Sequence, residues 1–244
     1  MDYWEQLAAV LEREPVQDRD RFFMAMLKPL GIERGKPFNP DERQKRILSE
    51  AAAVGELMAK ANAFDKRFAD SRYRPDAHWD YVIMADPAQD LPGLSQLDER
   101  AAYFYEAVAL SKGMVNKTPG VGQAYLGSYR DKEGHAFDGE KSYRLRVPPN
   151  PPARQFWSVT VYDADTRSIV QNEQQIADRS SRQDIIKNAG SVDVCFGPTA
   201  PKGFENNWIP TVAGRAWFAY LRLYAPLEAY FDKSWPLPDI EQVT

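Results

Sequence analysis

Apolar residues recur at helical spacing through the first third of the chain. A stripe near the N-terminus predicts a helix that ends before Pro15, and its members are Tyr3, Leu7, Val10 and Leu11. A second short helix is predicted from Asp20 to Leu30, and a third from Asp98 to Leu110. The segment before residue 116 is therefore predicted to be helical.

The most regular helical pattern begins after Asn39. Asn39 is a favourable N-cap, Pro40 suits the first helical position, and the acidic residues that follow stabilise the positive end of a helix. Apolar residues then continue at three- and four-residue steps, at Ile47, Ala51, Val54, Met58 and Ala61. This pattern predicts a long helix from residue 40 to about residue 66.

Strand-like alternation replaces the helical pattern at about residue 120. Tyr143, Leu145 and Val147 alternate with two arginines, which is the period of a half-buried strand. AYLGSYR at 124–130 and SYRLRV at 142–147 are predicted to form a hairpin across the turn between them. Three further strands are predicted from their β-branched and aromatic content, at 156–163, 191–196 and 215–224.

The connections between these strands decide the predicted fold class. Long loops rather than helices join the strands, which favours an antiparallel sandwich over a parallel sheet. The chain is therefore predicted to be α+β and mainly β, an antiparallel jelly-roll-like β-sandwich with an N-terminal helical segment. We expect the helical segment, residues 1–115, to pack on a sandwich of residues 116–244 that ends in a short C-terminal helix.

Composition and charge exclude several classes of function. The 244 residues include 31 Lys+Arg and 35 Asp+Glu, so no basic excess exists to neutralise a nucleic-acid backbone. The apolar runs are too short for a membrane span. The first residues, MDYWEQLAAVLEREP, lack the basic start and apolar core of a signal peptide. We expect a cytoplasmic protein if the chain is complete and a cell-envelope protein if a leader is missing.

Metal-binding residue types are scarce in the sequence. Cys195 is the single cysteine, which excludes an internal disulfide and a multi-cysteine zinc site. His78, Asp80 and His135 have the order H-x-D…H of the facial triad that binds non-haem Fe(II). An exposed turn histidine is the favoured interpretation of His135. We therefore predict no cofactor and keep a non-haem Fe(II) oxygenase as an alternative function.

Two strand carboxylates, together with Arg222, are candidates for catalysis. Asp163 follows FWSVTVY and Asp193 lies within SVDVCF. Paired carboxylates can perform glycoside hydrolysis, one as the acid and one as the nucleophile or base. A structural ion pair, for instance with Arg167 or Arg222, is the favoured alternative for both carboxylates.

Arg222 stands in the middle of the strand AWFAYLRLY. Such an arginine must face solvent, a carboxylate or a ligand. If Phe218, Tyr220 and Arg222 share one face of the strand, the two rings would flank a cationic group. The pattern is equally consistent with a binding face and with an ion pair in the core.

Several long stretches together carry a family resemblance. They are GKPFNPDERQKRIL, LDERAAYFYEAVALSKGMV, PGVGQAYLGSYRDKEG, VPPNPPARQFWSVTVYDADTRS, GSVDVCFGPTAPKGFENNWIPT and RLYAPLEAYFDKSWPLPDIE. The chain resembles the DUF1214 family of uncharacterised bacterial proteins, which implies a jelly-roll-like sandwich with an N-terminal helical segment. In many members a DUF1254 domain precedes this one, so the chain is similar to the C-terminal half alone. We expect a fragment, a shortened member or one half of a two-chain complex.

The resemblance supplies no catalytic set, so the candidate site is chosen on chemistry. The ligand-binding candidates are aromatic, acidic, arginine and asparagine residues within the family stretches: Trp157, Tyr162, Asp163, Arg167, Asn172, Asn207, Trp208, Arg222 and Tyr224. The favoured function is the binding of a small molecule, a carbohydrate or a lipid-like ligand, with hydrolysis and enzymatic activity left open. The alternative is an interaction module that pairs with a DUF1254-like domain or forms a homo-oligomer.

Overall fold

A computed structural model describes residues 1–68, 70–84, 86, 88–107, 114 and 117–243. The chain forms two compact units, Met1–Ala61 and a second unit that begins at Asn62. The helices of the described residues are α1 (Asp2–Arg13), α2 (Arg21–Leu27), α3 (Glu42–Phe64), α4 (Leu97–Glu106) and α5 (Glu228–Phe231). The strands are β1 (Trp79–Tyr81), β2 (Asp90–Leu91), β3 (Leu94–Ser95), β4 (Gln123–Ser128), β5 (Phe137–Asp138), β6 (Ser142–Val147), β7 (Ala153–Asp163), β8 (Asp178–Ser180), β9 (Val192–Gly197), β10 (Trp208–Pro210), β11 (Ala216–Pro226) and β12 (Glu241–Val243).

The N-terminal unit contains α1, α2 and most of α3, at the places of three predicted helices, with one change in how the long helix begins. Helix α3 starts at Glu42 because Asp41, and not Asn39, is its N-cap. The Asp41 carboxylate accepts a hydrogen bond from the backbone N–H of Gln44 at 2.7 Å, and the Gln44 side chain accepts one from the Asp41 N–H at 3.0 Å. These reciprocal bonds form a capping box, which stabilises the first turn.

The apolar stripe of α3 is not buried within the N-terminal unit. Ile47, Val54 and Met58 are exposed, while Leu48 is buried and its carbonyl accepts a hydrogen bond from the Trp4 indole at 2.6 Å. The contact with α1 therefore uses a different side of α3 from the one that the spacing of apolar residues indicates.

Two sheets make up most of the second unit. The first sheet has the order β1-β4-β11-β7-β8, with β5 added beside β11, and all of its pairs are antiparallel. The second has the order β10-β9-β6-β12, in which β10 and β9 are parallel and the other pairs antiparallel. The predicted mainly β, sandwich-like fold with an N-terminal helical segment is confirmed. The jelly-roll connectivity stays a prediction.

The predicted hairpin of 124–130 and 142–147 is wrong. Strand β4 pairs with β1 and β11 in the first sheet, whereas β6 pairs with β9 and β12 in the second. The segment between β4 and β6 is too structured to be a simple turn, because it contains β5, which pairs with β11. Both strands still bury alternate residues, which is why the alternation by itself could not reveal their partners.

One apolar core lies between the two sheets. Leu126, Val159 and Leu221 contribute from the first sheet, and Leu145 and Val194 from the second, all of them fully buried. Inward-facing side chains of two packed sheets interdigitate in this way in β-sandwiches. The alternate residues of β4, β7 and β11 consequently point to the opposite, outer face of the first sheet.

The predicted division of the chain at residues 115 and 116 lies outside the described residues, as does the predicted C-terminal part of the helix from Asp98 to Leu110. The packing of residues 1–115 on the sandwich stays a prediction. The short C-terminal helix is present as α5. Among the described helices, none has the length and apolar character needed to cross a bilayer.

Candidate functional site

The outer face of the first sheet carries a second cluster of rings. Phe218 and Tyr220 point outward from β11, and Tyr162 points outward from the neighbouring strand β7. The Tyr162 ring stacks on Phe218 with 5.2 Å between ring centroids and lies 4.9 Å from the Tyr220 ring. Strand alternation therefore builds an aromatic floor on the face opposite the sandwich core.

A cavity of about 540 Å³ lies over this floor. Its apolar lining comes from Val82, Ile83, Met114 and Phe218, and its hydroxyl groups from Tyr103, Tyr125, Tyr162 and Tyr220. Its charged lining residues are Glu106, Arg167 and Arg222. A mostly apolar cavity of this size with a few convergent polar groups is typical of small-molecule sites.

Arg222 is the cation of the cavity floor. Its guanidinium carbon lies 5.6 Å from the Tyr125 ring centroid and 5.8 Å from that of Tyr162, within the range of cation–π attraction. One terminal nitrogen donates a hydrogen bond to the Tyr162 hydroxyl. The Nε atom is buried and has no hydrogen-bond partner among the described residues.

The Tyr220 hydroxyl is a second unpaired group in the cavity wall. Tyr220 is 6% exposed, and its hydroxyl has no hydrogen-bond partner in the described part of the chain. Burial, together with the nearby Glu106 carboxylate, holds the Tyr220 pKa well above its usual value, so the group is a neutral phenol. It can therefore donate a hydrogen bond to a ligand.

Glu106 belongs to a buried polar network behind the cavity. The side chains of Glu106 and Lys66 are 0% and 1% exposed, and Lys66 Nζ lies 3.4 Å from Glu106 Oε2. Lys66 also donates to the Tyr129 hydroxyl at 3.0 Å, and that hydroxyl donates to the second Glu106 oxygen. Gly127 leaves the space for this ring, because a Cβ at residue 127 would lie 2.5 Å from the Tyr129 oxygen.

Asp80 adds a second carboxylate close to this network. Burial raises the pKa of Asp80 to about 6, an effect that the positive charges of Lys66 and Arg72 partly offset. The Asp80 carboxyl therefore changes its charge within the range of ordinary buffers.

A second cavity, of about 530 Å³, adjoins the first. The two share the lining residues Ile83, Met114, Gln123 and Tyr125. The second is lined further by apolar and aromatic side chains that include Leu91, Tyr230 and Phe231. A molecule longer than a single ring could therefore extend from the first cavity into the second.

Residues 122–228 match the family model DUF1214, which is described as a protein of unknown function. This part of the chain is a DUF1214 domain. The resemblance predicted from the sequence is thereby confirmed, although the stretches before residue 122 and after residue 228 lie outside the match. The domain contributes Tyr162 and Arg222 to the cavity, while Glu106 and Lys66 precede it. Pairing with a DUF1254-like domain or with a second copy stays a prediction.

The solved structures that match this chain include two bacterial proteins. The VPA0106 protein from Vibrio parahaemolyticus is 20% identical with a TM-score of 0.49, over 98% of this chain and 55% of that one. An uncharacterized protein from Burkholderia cenocepacia is 14% identical with a TM-score of 0.37, over 91% of this chain and 49% of that one. The chain thus spans about half the length of these proteins. No curated protein matches it.

Three of the predicted ligand-binding residues of the DUF1214 domain meet at the first cavity: Tyr162, Arg167 and Arg222. Arg167 donates a hydrogen bond to the Tyr105 hydroxyl at 2.8 Å, and its guanidinium lies over the Tyr105 ring at 4.1 Å. Arg167 is thereby held at the wall by a residue of α4.

Of the three catalytic candidates, Arg222 lines the cavity, whereas Asp163 and Asp193 bind neighbouring groups. Asp163 Oδ1 accepts hydrogen bonds from the backbone of Asp165 and Thr166. Burial acts to raise the Asp163 pKa, but these hydrogen bonds outweigh it and hold the pKa below its usual value. Asp193 forms a bidentate ion pair with Arg146, at 2.8 and 3.1 Å. The partners are thus Arg215 for Asp163, at 3.4 Å, and Arg146 for Asp193, rather than the arginines suggested from the sequence.

The remaining predicted residues of the DUF1214 domain hold the fold in place. Trp157 is buried in the core between the sheets, on the opposite face from Tyr162. Asn172 bonds the backbone of Ile176 and Pro210, Asn207 bonds that of Ile186 and Asp193, and the Trp208 indole donates to the Gly197 carbonyl. Tyr224 stacks on Phe156 at 3.8 Å between ring centroids.

The facial-triad residues do not come together around a metal position. His78 Nδ1 lies 2.9 Å from an Asp239 oxygen, and the 74% exposed His135 side chain lies 3.6 Å from Asp131. Within the described ranges, no three His, Cys, Asp or Glu side chains are placed to hold a metal ion. Burial raises the pKa of the Cys195 thiol to about 11, which keeps it unreactive.

The residues predicted from the sequence do not include the α4 residues of the cavity wall or the lysine behind them. Tyr103 and Glu106 come from α4, and Lys66 comes from the segment after α3, both distant in sequence from the strands. The aromatic run AAYFYEA was a visible signal on α4, because it concentrates three rings within seven residues. Nothing in the sequence pairs Lys66 with Glu106, which lies 40 residues later.

Proposed function

We propose that the second unit binds a small molecule in the tyrosine-lined cavity over β7 and β11. The observation that carries the proposal is a pair of buried donors in its wall, the Tyr220 hydroxyl and Arg222 Nε, which have no hydrogen-bond partner among the described residues. A buried polar group without a partner costs about 1–3 kcal/mol. A ligand that accepts hydrogen bonds from these donors would recover that free energy.

The floor of the cavity favours a flat or apolar body. Phe218 is stacked with Tyr162, and the Tyr220 ring lies at 60° to the Phe218 ring, so the surface offers both ring faces and ring edges. Aromatic surfaces of this kind contribute large contact areas in binding sites. The ligand we propose therefore has a ring or short hydrocarbon body and at least one hydrogen-bond acceptor.

The proposal is limited to binding. The carboxylates predicted for hydrolysis are engaged in a turn and in an ion pair, and Glu106 accepts hydrogen bonds from Tyr129 and Lys66. Binding requires no proton transfer from any of these groups, so the cavity can bind a ligand in the arrangement observed.

A panel of aromatic and short aliphatic fragments, both neutral and charged, tests the proposal by thermal shift and isothermal titration calorimetry. We expect fragments with an acceptor group to bind, and Ala107→Trp to abolish binding by filling the cavity at the end of α4. Tyr143→Phe is the matched control, because it removes a tyrosine hydroxyl in the core between the sheets. Binding that Ala107→Trp leaves intact, or no binding by any fragment, would overturn the proposal.

A further inference from the structure

We infer that the ligand's polar end is a carboxylate, and that the cavity binds organic monocarboxylates with a ring or short hydrocarbon body. This inference rests on the proposed function and names the chemical class of its ligand. Three features of the cavity wall support it: a guanidinium nitrogen and a phenol that have no acceptor among the described residues, and the positive charge of that guanidinium.

The unused donor of Arg222 defines the first contact. A guanidinium presents its N–H groups in a rigid planar fork, and this fork matches the two oxygens of a carboxylate. One terminal nitrogen is already bound to the Tyr162 hydroxyl, so the fork is fixed in direction, while the buried Nε still lacks an acceptor in the described structure. Tyr162 thus positions Arg222 for an anion without neutralising it.

Tyr220 supplies the second contact. Tyr220 and Arg222 lie two residues apart on β11 and point to the same face, which separates their Cα atoms by roughly 7 Å. The Glu106 carboxylate is close enough to the Tyr220 hydroxyl to raise its pKa, but among the described residues this hydroxyl has no acceptor in hydrogen-bond geometry, and Glu106 accepts from Tyr129 and Lys66. A ligand carboxylate between Tyr220 and Arg222 would accept from both donors.

The charges around the cavity favour a monoanion. Arg222 places a positive charge in the wall, and the single carboxylate of the described lining, Glu106, is paired with the buried Lys66. The guanidinium charge of Arg222 attracts an anion. Glu106 nevertheless places a negative charge close to the Tyr220 hydroxyl, and this charge repels a dianion such as a phosphate monoester more strongly than a carboxylate.

The experiment compares acids with their uncharged amides in matched pairs. The probes are benzoate with benzamide, phenylacetate with phenylacetamide, and hexanoate with hexanamide, titrated calorimetrically at pH 7.5, with phenyl phosphate as the dianion. We expect each acid to bind about tenfold or more tightly than its amide, as a charged hydrogen bond contributes more than a neutral one. Phenyl phosphate is expected to bind more weakly than phenylacetate.

Substitutions of Arg222 and Tyr220 test whether these two side chains cause the preference for acids over amides. Arg222→Gln should remove the preference for acids over amides, Arg222→Lys should retain part of it, and Tyr220→Phe should weaken the acids more than the amides. Arg144→Gln is the matched control, because Arg144 pairs with Glu241 in the second sheet. It should leave every affinity unchanged.

The outcomes separate this inference from the proposed function. Acids and amides that bind equally, in a manner blocked by Ala107→Trp, would overturn the carboxylate inference and leave the binding site in place. Phenyl phosphate that binds as tightly as phenylacetate would overturn it in favour of a phosphate. If no probe binds, both the inference and the proposed function fail.

Discussion

Alternate residues of strand β11 point to opposite faces of the first sheet, and the side chains on the two faces have different surroundings. Ala219, Leu221 and Leu223 point into the core between the sheets, where they are fully buried among other apolar side chains. Tyr220 and Arg222 point the other way, into a cavity. The inner face buries apolar side chains, which stabilises the fold. The outer face retains two donors, the Tyr220 hydroxyl and Arg222 Nε, that have no hydrogen-bond partner among the described residues.

An unpaired buried donor does not by itself mark a binding site. The Trp217 indole nitrogen, on the inner side of the same strand, also lacks a partner among the described residues. Its ring, however, is stacked on Phe137 at 4.2 Å and on Phe196 at 5.0 Å, so apolar packing surrounds it. Tyr220 and Arg222 differ because they line open space that a ligand can enter.

The largest loss of stability is expected when the buried ion pair of Lys66 and Glu106, behind the outer face, is broken. Glu106→Gln leaves the Lys66 ammonium without its negative partner, and breaking a buried pair from one side costs about 3–5 kcal/mol. Urea unfolding monitored by circular dichroism measures the loss. Arg144→Gln, which breaks a partly exposed pair, should cost at most about 1 kcal/mol. Equal losses in the two variants would contradict the account.

The next largest loss of stability is expected when a cavity is created in the core, on the inner face of β11. Leu221→Ala removes a fully buried side chain from the core and should lower the free energy of unfolding by about 2–5 kcal/mol. Because Leu221 faces away from the cavity, the affinity for phenylacetate at a temperature where the variant is folded should not change. A large loss of affinity with intact folding would show that the two faces are not separate.

A pH-dependent effect is expected from Asp80. Its folded-state pKa of about 6 is above its unfolded value, so its contribution to stability is fully present at low pH and lost as the pH rises through 6. Asp80→Asn removes this dependence. The variant should gain stability over the wild type between pH 4.5 and pH 7.5 by about 2 kcal/mol. Parallel stability curves for the two proteins would contradict this prediction.

The smallest expected change in the free energy of unfolding has opposite signs for two tyrosine substitutions, one at the cavity and one in the core between the sheets. Tyr220→Phe removes an unpaired hydroxyl and should raise the free energy of unfolding by about 1 kcal/mol without ligand. Tyr143→Phe removes an acceptor that the Asp138 N–H uses and should lower it by about 1 kcal/mol. Thermal unfolding of both variants measures the difference. A loss of stability in Tyr220→Phe would show that its hydroxyl already has a structural partner.

The sequence predicted the elements better than their partners. Alternation identified β7 and β11 and placed Phe218, Tyr220 and Arg222 on one side of a strand, because the two-residue period is a local property. It could not show that β4 and β6 belong to different sheets, because pairing depends on residues far apart in the chain. The same limit concealed Lys66 and Glu106, which come together only in the folded protein.

A crystal structure of the full chain with phenylacetate tests the central claim most directly. We expect the probe in the tyrosine-lined cavity, with its carboxylate within about 3 Å of Arg222 Nε and of the Tyr220 hydroxyl. Its ring should lie against Phe218. A cavity that holds no probe while phenylacetate binds elsewhere on the molecule would contradict the account, and so would a Tyr220 hydroxyl that donates to Glu106 beside the bound probe.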